Sequence, residues 1–257
     1  MSDFNRNFAT AARGAGADRA VAIDAGLRAY MLRVYNYMAT GVGLTGVVAW
    51  FTYQAAGGDA VRIVGRTIVG ATPFGALVFS FPVQIVLMLG TVGLVFFISA
   101  RIQYLQSATA LGLFMLYAGA LGLLLSTVFL EYTGASITRT FFISAASFGA
   151  LSLYGYTTQR DLSPIGSFLI MGVFGLILAS LVAAFFPSPG LTFMISAVGV
   201  LIFAGLTAYD TQQIKEMYSA MDDGTVAGRK AVMGALRLYM DFINLFLYLL
   251  RFMGDRR

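Results

Sequence analysis

Long apolar runs separated by short polar breaks occupy most of the chain beyond residue 28. A helix needs ~20 mostly apolar residues to cross ~30 Å of hydrocarbon. Runs of about that length fall at 29–53, 83–103, 108–130, 140–158, 165–186, 191–213 and 231–253. Each predicts a membrane-spanning helix, so the fold class is an all-α membrane protein of about seven spans. The run at 140–158 is rich in Ser, Ala and Gly, which predicts close packing against other helices. The stretch 61–82 is broken by Gly70, Pro73, Gly75 and Pro82 and predicts an amphipathic or re-entrant piece. Residues 1–28 are polar, small and Arg-containing, without the apolar core of a signal peptide. They predict a mostly disordered cytoplasmic tail ahead of a single transmembrane domain at 29–257.

Composition sharpens this reading. Charged residues make up 11% of the chain, against roughly 25% in soluble domains, so most of the surface must face lipid. The net charge of +5 reads as topology, with no nucleic-acid partner. If the N-terminus is inside and there are seven crossings, 11 Lys and Arg residues fall inside and 6 outside. That favours a multi-pass inner-membrane protein with a cytoplasmic N-terminus. Arg251, Arg256 and Arg257 are three of the outer six. If the last segment dipped in and returned, the count would be 14 against 3; its length favours a full crossing.

The chain has no cysteine and no histidine. Disulfides, thiol catalysis, cysteine-ligated metals and histidine switches are therefore excluded. Any proton-linked behaviour near neutrality has to use carboxylates. Most of those lie in tails, loops or span ends, but Asp210 and Asp241 interrupt apolar helix. An ionisable group within a span costs ~2.5–3.5 kcal/mol on insertion scales and faces a cavity or a partner.

The turn between the two is Asp222-Asp-Gly-Thr225, with Gly224 as the breaker. The midpoint of the two aspartates falls on that turn, so an antiparallel hairpin brings them to one depth. A facing carboxyl pair in low dielectric cannot cheaply ionise at both members and shares a proton. Its charged form attracts a hard cation such as Ca²⁺, which prefers oxygen ligands. The alternative is that each aspartate bonds nearby backbone and only glues helices together.

Other polar residues carry two readings each. Arg101, near the cytoplasmic end of the 83–103 run, either latches an aspartate or snorkels to headgroups. Asn244 and Arg237 share a helical face with Asp241 as supporting residues. Glu131 either gathers cations at an outer mouth or is a solvated helix end. No tightly bound cofactor is expected, and the chain reads as a non-enzyme. Paired aspartates occur in intramembrane proteases, but those carry Gly before the second aspartate, where this chain has Met240.

Three motifs resemble one family. Ser152-Leu-Tyr-Gly-Tyr-Thr-Thr-Gln-Arg-Asp-Leu-Ser163 resembles the fourth-to-fifth connection of bacterial members of the Bax inhibitor family. Tyr209-Asp-Thr-Gln212 and Leu238-Tyr-Met-Asp-Phe-Ile-Asn-Leu-Phe246 resemble its last two motifs. The resemblance covers residues 27–252. It implies seven helices, with the last one central and surrounded by six. It also implies a pH-sensitive calcium leak gated by an aspartate pair, here Asp210 and Asp241, with calcium as permeant ion. An Arg on the second helix that latches the closed state would fall at Arg101. The second functional expectation is a modulator that binds a membrane protease or another membrane complex, with the N-terminal tail as its contact region.

Overall fold

The computed structural model describes residues 2–64 and 67–257, with side chains for 24–62 and 67–257. Arg66, counted above among the outer cations, lies outside the described residues, as do the side chains of Arg6, Arg13 and Arg19. The chain is helical nearly throughout, as lipid demands: only helices and closed barrels satisfy every backbone polar group without water.

Helix α1 runs Ser2–Ala55. The stretch expected to be disordered therefore continues the first span as helix, consistent with its many alanines, the strongest helix formers. Gly57 and Gly58 end the run in left-handed conformations, with φ of 123° and 55°, which only glycine adopts at little cost. The segment at 61–82 is a two-stranded antiparallel hairpin, β1 (Arg62–Val64) and β2 (Thr67–Val69), then a short helix α2 (Pro73–Val78). It is neither one amphipathic helix nor one re-entrant helix, because Gly70 sits at φ 80° and Pro73 starts a new helix.

The remaining elements are α3 (Phe81–Arg101), α4 (Ser107–Leu125), α5 (Val128–Glu131), α6 (Gly134–Thr157), α7 (Ser163–Phe185), α8 (Pro189–Glu216) and α9 (Gly224–Met253). Among the described residues, five helical segments are long and apolar enough to cross a membrane: α3, α4 continued through α5, α7, α8 and α9. This is an all-α membrane protein.

Packing sorts these helices. α9 packs on α1, α4, α6 and α8, whereas α3 joins the bundle chiefly through α4 and α7 through α8. Accordingly 61% of the apolar window of α9 is buried, against 11% for α3 and α7. The outer two present Phe81, Phe96, Phe168 and Phe174 outward, as lipid-facing helices do.

Close approach between helices rests on small residues. Gly155 of α6 lies directly on the backbone of Ala208 in α8, and Gly199 of α8 lies under the ring of Tyr248 in α9. α9 is one unbroken helix of 30 residues, ~45 Å long. Its end meets the ends of α1, α5 and α6, so the last segment does not turn back.

Candidate functional site

The α8–α9 hairpin places the two aspartates. Ile214 lies against Gly234, Asp210 against Arg237 and Phe203 against Tyr248, and each pair straddles Gly224 about evenly. α8 itself stops at Glu216, short of that centre. The intervening residues fold back along the first turns of α9, held by Lys230 Nζ donating to the carbonyl of Met217 at 2.9 Å. The same ammonium donates to Asp222 Oδ2 at 2.6 Å. Asp223 caps α9 by accepting from the amide of Val226 at 2.7 Å.

Within this register Asp210 of α8 and Asp241 of α9 are neighbours across the hairpin, on either side of Arg237. Asp241 is 5% exposed, and its Oδ2 has no hydrogen-bond partner among the described residues. Arg237 Nη1 approaches Asp210 Oδ1 at 3.9 Å, an ion pair too long for a direct hydrogen bond. The site is thus two carboxyls and one guanidinium at the end of the bundle where α8 meets α9.

Neighbouring helices fix the rotation of both carriers. On α9, Tyr239 faces away from α8; its hydroxyl meets Thr45 Oγ1 at 2.5 Å, and its ring packs edge-on against Phe114 and Tyr117. Asp241, two residues on, is thereby turned toward α8. On α8, Thr211 Oγ1 lies 2.9 Å from Ser152 Oγ, which lies 2.6 Å from the hydroxyl of Tyr35. Gln212 accepts from the amide of Leu162 and donates to the carbonyl of Arg160, both at 2.8 Å. Lys215 donates to the carbonyl of Tyr156 at 2.8 Å. Thr211 and Gln212 of the motif Tyr209-Asp-Thr-Gln212 therefore dock on the end of α6 and its following loop, Tyr209 lies against Gly166 at the start of α7, and Asp210 points to α9. The adjacency of Thr and Gln to the aspartate was the available signal for this scaffold.

The other candidates fall elsewhere. Arg101 is exposed at the last turn of α3, a helix that packs on α4 rather than on α8 or α9. Arg237 is the guanidinium at Asp210. Asn244 donates to the carbonyl of Met240 at 2.9 Å within its own helix. It also lines a small cavity of about 100 Å³ with Leu247, Tyr248 and Arg251. No group of three or more acidic side chains stands together among the described residues. Two carboxylates fall short of the six to eight oxygens that Ca²⁺ takes, so an ion here would need water and carbonyl oxygens as well.

Glu131 sits at the far end, tied to the C-terminus. Its carboxylate meets Arg256 at 3.3 Å, and its carbonyl accepts from the amide of Arg257 at 3.0 Å. Arg257 also donates to Asp59 at 2.9 Å and to the hydroxyl of Tyr53 at 3.0 Å, while Asp255 takes Arg139 at 2.9 Å. Donors from Tyr53 and Arg257 hold the Asp59 carboxyl below its ordinary value of 3.8. A depressed carboxylate contributes its hold above the unfolded value and loses it as pH falls through the folded one. The strap should therefore be tight at neutral pH and loosen below about pH 3.8. Deleting Arg256 and Arg257 should lower the melting temperature in detergent slightly at pH 7. An unchanged melting curve at pH 7 would show that the strap adds nothing.

Comparison with known proteins is consistent with this architecture. A family model described as "Inhibitor of apoptosis-promoting Bax1" matches residues 27–257. The inner membrane protein YbhL of Escherichia coli K12 is 43% identical over 242 residues, covering 93% of this chain and 97% of that one. An uncharacterized protein of Rickettsia prowazekii is 42% identical over 257 residues and covers all of both chains. One from Borreliella burgdorferi is 44% identical over 230 residues, covering 89% and 92%. A match across nearly the whole transmembrane region, with relatives of this likeness, means that the chain belongs to the Bax inhibitor family.

Proposed function

We propose that the protein is a pH-sensitive calcium leak of the inner membrane, with Asp210 and Asp241 as its proton-responsive gate. The observation that carries this reading is a nearly buried Asp241 with one oxygen left unpaired, on the helix that packs against the one carrying Asp210. A hydrogen bond between two carboxyls needs a proton. When that proton leaves, like charges repel across the α8–α9 contact, and Arg237 is the nearest cation able to absorb one of them.

In this reading α1 and α6 cross the membrane beside the five apolar helices, which makes seven spans with α9 at the centre. Their apolar average is lowered by the inward hydroxyls of Thr45, Thr140, Ser144 and Ser152, while Leu32, Phe51, Phe142 and Leu153 face outward. The N-terminus and the α8–α9 turn lie on the cytoplasmic side. The strip Arg237, Asp241, Asn244, Tyr248 and Arg251 recurs at helical spacing and marks the path along α9. Calcium is the cargo and has no resident site.

The test is calcium entry into dye-loaded proteoliposomes as a function of pH. Asp210→Asn and Asp241→Asn should each flatten the pH dependence, and the same pH-dependent flux in both variants as in the parent would overturn the gate. A second reading, a modulator that grips another membrane protein, is favoured by the length of α1. Its 54 residues span ~80 Å as helix, well over the ~30 Å hydrocarbon core. Deleting residues 1–25 should then remove a co-purifying partner and leave flux intact.

A further inference from the structure

α1 and α6 both pack on α9 yet make little contact with each other. Between them lies a cleft of about 800 Å³ that opens sideways. Its floor is Phe148 and Phe242, and its lips are Gly43 on α1 and Gly149 on α6. A Cβ added at either glycine would meet nothing within 4 Å, so neither is there to let helices touch. One end of the cleft carries polar groups: Arg28, Tyr35, Ser152 and Tyr156. The Arg28 side chain is 72% exposed and holds Asp24 only at 3.8 Å, beyond hydrogen-bond range, so its donor fork faces outward. Lys215 stands beside that end, its Nζ 5.3 Å from the ring centre of Tyr156.

We propose that this cleft is a lipid-binding site that retains an anionic phospholipid, with an acyl chain along Phe148 and Phe242 and the phosphate at Arg28. Three features select this occupant. The cleft opens sideways between helices of a membrane protein, where hydrocarbon is the surrounding medium. The one charged residue lining it, Arg28, lies at one end, as an amphiphile requires, and its pairing with Asp24 at 3.8 Å leaves the guanidinium without a direct hydrogen bond to that carboxylate. Its volume is wrong for a partner helix: at ~10 Å diameter and 1.5 Å rise, 800 Å³ holds roughly seven residues, where a spanning helix needs ~20. A flexible chain one methylene wide fills the same space along its length.

The experiment is native mass spectrometry of the full chain extracted from vesicles of equal phosphatidylglycerol and phosphatidylcholine. The parent should retain one phospholipid, enriched in phosphatidylglycerol. The double variant Gly43→Leu/Gly149→Leu fills open space and should lose it. Gly90→Leu on α3, also in open space, should keep it. Arg28→Gln should still bind lipid but lose the preference roughly fivefold, about what one basic residue at an anionic surface is worth.

Lipid retained equally by parent and filled variant would overturn the proposal. So would retention with no headgroup preference, or a preference unmoved by Arg28→Gln. A lipid-free dimer that the filled variant breaks would assign the cleft to a second copy instead. Melting curves separate loss of lipid from loss of fold, and Arg28→Gln tests the site without touching the packed core.

Discussion

Gly155→Leu should collapse the bundle, whereas Gly149→Leu on the same helix should leave it standing. Gly155 is buried where α6 crosses α8, and a Cβ there would run into the carbonyl oxygen, carbonyl carbon and Cα of Ala208. These are backbone atoms of a continuous helix and cannot rotate away as a side chain tip can. Overpacking a close-packed contact costs about 1–3 kcal/mol, more where nothing can yield. At the upper end this lowers the melting temperature in detergent by about 10 °C for a chain of this length. The variant should also give little monodisperse protein on size exclusion.

Gly149→Leu meets no atom and gains helix propensity of somewhat under 1 kcal/mol, so its melting temperature should hold or rise slightly. The consequence reaches the site as well. Ser152, one turn from Gly155, holds Thr211, and Thr211 follows Asp210. Any sliding of α8 on α6 therefore moves the carboxyl. Equal melting curves for the two variants would show that this contact does not set the spacing of the bundle.

Arg237→Gln should move the midpoint of pH-dependent flux, and Arg101→Gln should leave it in place. Arg237 is the cation beside Asp210, so its removal changes the charge that the carboxyl faces. At 3.9 Å the bare attraction is several kcal/mol even at an effective dielectric of ~20. The Arg237 side chain is 38% exposed, however, and water screens much of that. Arg101 stands exposed on a helix that packs chiefly on α4. A midpoint moved by Arg101→Gln and not by Arg237→Gln would return the latch to α3.

How much of this was legible beforehand follows from the solvent. In lipid an apolar run has one structural option, because an unpaired amide has no water to turn to. The five apolar spans could therefore be read from run length alone, and the adjacency of the helices that carry Asp210 and Asp241 from the Asp222–Thr225 turn between them. Both are properties of one chain segment and its immediate return.

What composition and spacing could not decide is rotation about each helix axis and the choice of neighbour. Arg101 and Arg237 are equally plausible partners for an aspartate on paper. Only the packing of α3 on α4 and of α9 on α8 separates them. Glu131 and Arg256 lie far apart in the chain, and nothing local marks their ion pair. The segment at 61–82 has mixed periodicity, and left-handed glycines bound its hairpin, Gly57 and Gly58 before it and Gly70 after it. By itself the sequence determined a helical membrane protein with two interior carboxyls on adjacent helices. Tertiary structure decided which cation faces them and where the chain end is fastened, and it left a lipid-sized gap between α1 and α6. Those outcomes depend on side chains from several helices meeting at once, and a one-dimensional pattern does not contain that condition.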